Sequence, residues 1–519
     1  MAIGTIIIIT AIAALAGIES VLDEWQWHRP ILVCTLIGLV LGSLHTGLLV
    51  GGELELLALG WMNIGAAQSP DTALAGVLST LLAIRAGHDV SSAIAIAVPI
   101  AIAGNLTTVF VRSLTISIHH VADRIALTSS RHYLSFLHLG ALSLQALRVA
   151  IPALIFQLFV SQSMILNFLH AIPPVLNGGF TAASGFIVVV GYAMVIRSLH
   201  ARELTPYLIL GFLLADISSA TLLAIGLIGG SIAYLHVRFF RKGSEGVLTK
   251  DADDETLTTV PFTRLTKKVF WRVFWRSQFF QASWNYERMQ GMGYAYAVEP
   301  ALDLFYANEE SRIRKQEHLE FFNSQPYIAN LVVGMNLAVE EKASLGEESA
   351  KRLVSSIKLG MMGPLAGVGD SLFWGTLRPL IASLAATMAL SGNVLGPVVF
   401  FVSWNVLRLG ARFGFLYYGY RFGLTLVQRI RQGIIRQFTQ GASILGLFVM
   451  GALVARWAHV TFAPSAIAGF VTQLMPNLQN LALLYLVLFL LRRRFHSVSI
   501  IFLLFVVACI GVALHVIIP

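Results

Sequence analysis

Apolar runs dominate this chain, and they are repeatedly interrupted. In the first half they cover residues 3–19, 31–50, 72–86, 91–117, 135–160, 180–196 and 206–236. In the second half they cover 326–340, 353–369, 379–391, 394–409, 443–457, 479–491 and 498–518. A helix needs about 20 apolar residues to cross a bilayer, so several of these runs are too short or too broken for a clean crossing. The pattern predicts an all-α polytopic membrane protein made of two helical halves with broken or re-entrant helices. The opening run, MAIGTIIIITAIAALAGIES, has no basic n-region and no good cleavage site, and reads as a first span rather than a signal peptide.

Between the halves the pattern changes. Residues 237–276 pass from a basic span end (Arg238, Arg241, Lys242) through an acidic, Thr-rich stretch into a basic-aromatic segment. This predicts a first membrane domain over 1–242, a cytoplasmic linker over 243–262 and a second domain over 263–519. Within the second domain, 263–325 reads as cytoplasmic or interfacial helices and 326–519 as the membrane part. Lys267, Lys268, Trp271, Arg272, Trp275 and Arg276 suit a helix lying at lipid headgroups. That helix, and the basic stretch around 421–436, fit contact with anionic lipid.

Composition supports the membrane reading. The chain of 519 residues is 56% hydrophobic and only 12% charged, with mean hydropathy +0.75, where soluble domains carry about 25% charged residues. The net charge of +9 does not imply nucleic acid, because the basic residues flank apolar spans as the positive-inside rule requires. Two cysteines far apart, Cys34 and Cys509, exclude a disulfide framework and a cysteine-based zinc site. No metal or cofactor site and no nucleophile–base pair is apparent.

Two interrupted segments carry acids. GWMNIGAAQSPD (60–71) and GMMGPLAGVGD (360–370) each run from Gly through helix breakers to Asp, then into an apolar helix. The echo fits repeats of inverted topology, as in secondary transporters, or the ordinary abundance of small residues in membrane helices. Broken backbone at bilayer depth is tolerated where it lines a cavity, and a carboxylate there is costly enough to read as functional. GPLAGVGD lacks the Lys-Ser/Thr of a P-loop, so nucleotide binding is not implied. A third polar stretch, LDEWQWHRP (22–30), reads alone as an interfacial loop with an aromatic belt. Taken with Asn63 and Asp71, its Asp23, Glu24 and Gln26 suit polyol recognition: acids and amides match hydroxyls, and aromatic faces cover C–H surfaces.

These segments, in this order, resemble a known family. LDEWQWHRP, GGELELLALGWMNIGAAQSPD and VVVGYAMVIR resemble the IIC subunit of mannose–fructose–sorbose phosphotransferase-system permeases. FQASWNYERMQGMGY, HLEFFNSQPY, GMMGPLAGVGDSLFWGTLRP and QGASILGLFVMGALV resemble the IID subunit. The two, usually separate, look fused here. The resemblance implies an elevator-type transporter that moves a mannose-type hexose inward across the bacterial inner membrane and phosphorylates it during uptake. It implies a phospho-donor on a separate IIB component, fed by IIA, HPr and enzyme I, with no phosphorylated residue in this chain, and a homotrimer of fused protomers. By motif position it adds Asn285, Glu287, Asn323 and Asp370 to the sugar site, alongside Asp23, Glu24, Gln26, Asn63 and Asp71. The competing classes are an ion-coupled sugar transporter without phosphorylation and a non-transporting receptor or scaffold.

Overall fold

The computed structural model describes residues 2–61, 69–86, 90–126, 133–161, 202–218, 222–244, 264–429, 435–457 and 475–517 without 494 and 496, together with isolated positions between 163 and 220. The described residues fold into helices. In the first half these are α1 (Ile3–Leu22), α2 (Pro30–Val40), α3 (Leu44–Leu57), α4 (Thr72–Ala86), α5 (Val90–Ala126), α6 (Tyr133–Phe159), α7 (Thr205–Ile217) and α8 (Leu222–Ser244). In the second half they are α9 (Lys267–Ser277), α10 (Gly291–Phe305), α11 (Asn308–His318), α12 (Ala329–Ser344), α13 (Glu348–Gly369), α14 (Arg378–Leu390), α15 (Leu395–Arg429), α16 (Ile435–Trp457), α17 (Leu478–Arg492) and α18 (Ser497–Ala513). Five stretches among the described residues are long and apolar enough to cross a membrane: Ile3–Leu22, Pro99–Ile125, Tyr133–Phe159, Ala350–Leu390 and Leu395–Gly423.

The boundaries depart from the apolar pattern in three places. The run 31–50 is not one helix but a hairpin of α2 and α3, turned at Gly42 with φ +70°. That turn brings Gly38 against Gly47 so closely that a Cβ on Gly38 would lie 2.8 Å from the Gly47 Cα. The runs 353–369 and 379–391 are one continuous helical rod. Instead of breaking at 360–370, the chain stays helical through Pro364 and widens into a π-helix over Asp370–Leu377. π-Helical turns recur at functional sites because they rotate side chains out of α register; here the widened segment carries Asp370 and Trp374. The run 326–340 forms α12, whose 16 residues are buried on nearly every side, so it is a core helix too short to cross alone.

The basic-aromatic segment forms α9, capped by Thr266, whose side chain accepts from the Val269 amide. Phe270, Val273 and Phe274 face inward while Trp271 and Trp275 are half exposed. Nearby, α11 and α12 share a buried polar cluster. Glu340 accepts from Arg314 Nη2 at 2.6 Å and Tyr306 Oη at 2.6 Å, and lies 2.9 Å from His318 Nε2.

The two halves share a core. The larger hydrophobic cluster runs from Ile9 and Trp61 through Phe212 to Phe448 and Leu488. At its centre α7 crosses α16 through two glycines. A Cβ on Gly211 would meet the Phe448 carbonyl oxygen at 1.9 Å, and one on Gly451 the Leu208 carbonyl oxygen at 2.0 Å. Small residues let membrane helices approach backbone to backbone, where dispersion contacts replace the missing hydrophobic drive. A second cluster, Leu265 to Tyr420, belongs to the second half alone.

Candidate functional site

The site begins in the turn after α1. Asp23 and Gln26 both adopt left-handed backbone conformations, with φ 53° and 69°, which cost about 1 kcal/mol or more each for non-glycine residues. Hydrogen bonds hold the turn in place. The Gln26 amide donates to Glu19 Oε2 at 3.0 Å, and its Nε2 donates to the Asp23 carbonyl at 3.0 Å and to Asp23 Oδ1 at 2.8 Å.

Side chains from the second half then grip the turn. Arg378 Nη1 lies 3.1 Å from both Asp23 carboxylate oxygens. Arg408 Nη1 donates to Glu24 Oε2 at 2.8 Å, and Arg412 donates to the other oxygen of the same carboxylate. Tyr327 Oη donates to the Asp23 carbonyl at 2.8 Å and accepts from Trp404 Nε1 at 3.2 Å. The Arg408 guanidinium also stacks on Trp25, 4.3 Å from the ring centroid. Two buried cations thus share one buried carboxylate, so loss of Glu24 would leave both without their counter-charge.

Two cavities adjoin this turn, with Asp23 and Arg112 on the walls of both. The first is lined among others by Trp284, Asn323, Asp370 and Trp374. The second is lined by His28, Trp61, Asp71 and Arg148 among others. Most of the charges are already matched: Asp23 by Arg378, Asp71 by Arg148, and Glu55 behind them by Arg29. Asp370 and the Asn323 side chain make no hydrogen bond or ion pair with the described residues. Those two are left to offer acceptors and donors to an occupant. The Trp374 ring carries Arg378 on one face, 4.3 Å from its centroid.

Of the residues singled out from sequence, Asp23, Asn323 and Asp370 meet in the first cavity, and Asp23 and Asp71 in the second. Asp71 also caps α4, accepting from the Ala73 and Leu74 amides at 3.0 and 3.2 Å. Glu24 is held by the arginines and Gln26 by its own turn, so neither lines a cavity. Asn285 is buried in a turn of its own, its Oδ1 accepting from the Glu287 and Arg288 amides at 3.0 and 2.9 Å. Glu287 is partly exposed and pairs with His120 Nε2 at 3.0 Å. Asn63 lies outside the described residues. Sequence reasoning passed over Arg112, Arg148, Arg378, Arg408 and Arg412, and over Trp284. The signal was present: Arg112 and Arg148 interrupt the apolar runs 91–117 and 135–160, and a charge at bilayer depth marks function or pairing by default.

Comparison with known proteins places each half. Residues 3–235 match the family model of the PTS system sorbose-specific IIC component, and residues 264–517 that of the PTS system mannose/fructose/sorbose family IID component. The chain is 46% identical over 237 residues to the PTS system mannose-specific EIIC component of Escherichia coli K12, covering 46% of this chain and 89% of that relative. It is 41% identical over 276 residues to the mannose-specific EIID component of the same organism, covering 50% of this chain and 97% of that relative. A solved structure of the mannose transporter ManYZ in complex with microcin E492 is similar over 49% of this chain and 98% of the matched chain, at 41% identity and a TM-score of 0.31.

Proposed function

Because the chain belongs to the mannose/fructose/sorbose family of phosphotransferase-system permeases, with IIC and IID components joined in one polypeptide, we propose that it binds a mannose-type hexose in the paired cavities between its halves. The chain takes up sugar coupled to phosphorylation, and the phosphate comes from a separate IIB component. The domains are 1–242 and 263–519, joined by a linker at 243–262. Asp23, Asn323 and Asp370 are the residues assigned to the sugar, with Asp71 in the adjoining cavity; Asn63 is assigned to it by motif position alone.

The observation that carries this reading is the Asp370 and Asn323 side chains facing one cavity at the seam without hydrogen-bond or ion-pair partners among the described residues. An acceptor-only carboxylate and an amide that both donates and accepts suit a ring of hydroxyls. Tryptophan surfaces in the same wall suit the apolar face of a sugar. In phosphoryl transfer most of the catalysis is positioning, so the task of this chain is to hold the hydroxyl and open toward the cytoplasm for the donor. An elevator motion of the sugar site, a trimer of fused protomers and residence in the bacterial inner membrane complete the proposal. IIA, HPr and enzyme I supply the IIB phosphate.

The test is uptake into vesicles with and without phosphorylated IIB, with the chemical form of the product assayed. Sugar phosphate that accumulates only with IIB supports the proposal. Free sugar driven in by an ion gradient would overturn it.

A further inference from the structure

Arg112 is 4% exposed and lies on the walls of both cavities. Its guanidinium carbon sits 4.6 Å from the centroid of the Trp284 ring. Its Nε is buried without a partner, and the group makes no hydrogen bond or ion pair with the described residues. The other arginines at the seam differ: Arg29, Arg148, Arg378, Arg408 and Arg412 each reach a carboxylate. A buried cation left unmatched is costly, so an occupant that hydrogen-bonds it offsets that cost.

The charge pattern of the first cavity says what kind of occupant fits. With Asp23 taken by Arg378, the wall keeps one donor-only group, Arg112, and one acceptor-only group, Asp370. The pair is neutral overall, and carboxylates beside it oppose a phosphate dianion. Stacking on Trp284 fixes the plane of the guanidinium, whose forked N–H groups match two adjacent acceptors.

We propose that Arg112 binds the cargo directly, donating to two neighbouring hydroxyls of the hexose while Asp370 accepts from another. This rests on the reading of the cavities as a sugar site. Trp284 holds the guanidinium in place and Arg112 supplies stereochemical discrimination, since only hydroxyls of suitable relative orientation meet both arms of the fork.

The test is equilibrium binding of mannose and its monodeoxy analogues to the full chain in lipid nanodiscs, with thermal unfolding as a check on folding. In the unchanged chain, the analogues lacking the contacted hydroxyls should bind about 10- to 100-fold more weakly than mannose, as expected for hydrogen bonds to a charged group. In Arg112→Met, mannose itself should weaken by that factor, and the same analogues should lose less than about 2-fold more. Should Arg112→Met fail to fold, Arg112→Lys decides the matter: a single point donor should keep discrimination at no more than one of the two hydroxyls. The inference is overturned if either variant keeps the full discrimination pattern, if Arg112→Met weakens mannose and every analogue alike, or if the unchanged chain prefers mannose phosphate to mannose. A chain that binds mannose but loses it in Asp370→Asn alone overturns this inference and leaves the uptake proposal standing. No binding of any hexose overturns both.

Discussion

Glu24, two residues past the end of the first helix, is gripped by Arg408 and Arg412 of a helix almost 400 residues later. Arg408 Nη1 lies 2.8 Å from Glu24 Oε2, and Arg412 donates to the other oxygen. All three residues are fully buried. This ties the first half to the second at one point, and its energetics are asymmetric. Forming the cluster from exposed groups gains little net free energy, because desolvation offsets attraction. Breaking it strands a charge. Glu24→Gln should therefore destabilise the chain by about 3–5 kcal/mol, read as a fall in thermal unfolding temperature in detergent. A combined Glu24→Leu, Arg408→Met, Arg412→Met variant should recover much of that loss. Recovery no better than the single variant would refute the account.

The glycine crossing of α7 and α16 yields a second expectation. Any side chain at Gly211 or Gly451 pushes against a backbone carbonyl less than a van der Waals contact away, and a backbone cannot rotate aside as a side chain can. Residues 1–244 and 264–519, expressed as two chains, should assemble through this crossing and the Glu24 cluster and purify together. Gly451→Leu should abolish co-purification. Persistence of the complex in that variant would show that the crossing does not hold the halves together.

Much of this was legible in the residues and some of it could not be. Long apolar runs announced the helices, and the run 135–160 differs from α6 by only a residue or two at either end. The hairpin at 31–50 was hidden because Gly42, which turns the chain, looks in sequence like Gly38 and Gly47, which merely pack it. The π-helix was hidden because breakers such as Pro364 signal a break, whereas a continuous helix with an extra residue per turn satisfies its own hydrogen bonds. Asp23 and Asp370 were visible as costly acids at membrane depth. The partners of the buried acids Asp23 and Glu24 were not, because nothing local links Glu24 to Arg412 across 388 positions. Glu24 and Gln26 looked like sugar ligands for the same reason that they pair within the protein: buried acids and amides demand partners, and composition does not say which.

Asp370 and Asp71 illustrate that difference in a form that can be measured. Asp71 caps α4 and pairs with Arg148, whereas Asp370 makes no such contact among the described residues. Asp71→Asn should keep the cap in part but leave Arg148 unmatched, costing about 3–5 kcal/mol in stability. Asp370→Asn should leave the unfolding temperature nearly unchanged and weaken hexose binding about 10- to 100-fold, the worth of a charge-assisted hydrogen bond. Equal effects of the two changes on both readouts would remove the distinction.

In the polar segment outside the candidate spans, His318 gives a pH dependence with a definite sign. Burial holds its imidazole below the ordinary value of 6.5, and Glu340, 2.9 Å away, pulls against that shift. Below that ordinary value the unfolded chain takes up a proton that the folded chain resists. The unfolded state then binds more protons, and stability falls as pH falls. His318's contribution is thus present above about pH 6.5, where an unperturbed histidine is neutral, and is lost progressively on acidification. Thermal unfolding of the unchanged chain between pH 8 and pH 5 should show a downward slope that begins as pH drops through that value. His318→Gln, which keeps a donor for Glu340 but cannot titrate, should be flatter over the same window. A slope that is identical in the variant would assign the acid sensitivity elsewhere, and a slope of opposite sign would mean that Glu340 outweighs burial and that the imidazole is held charged.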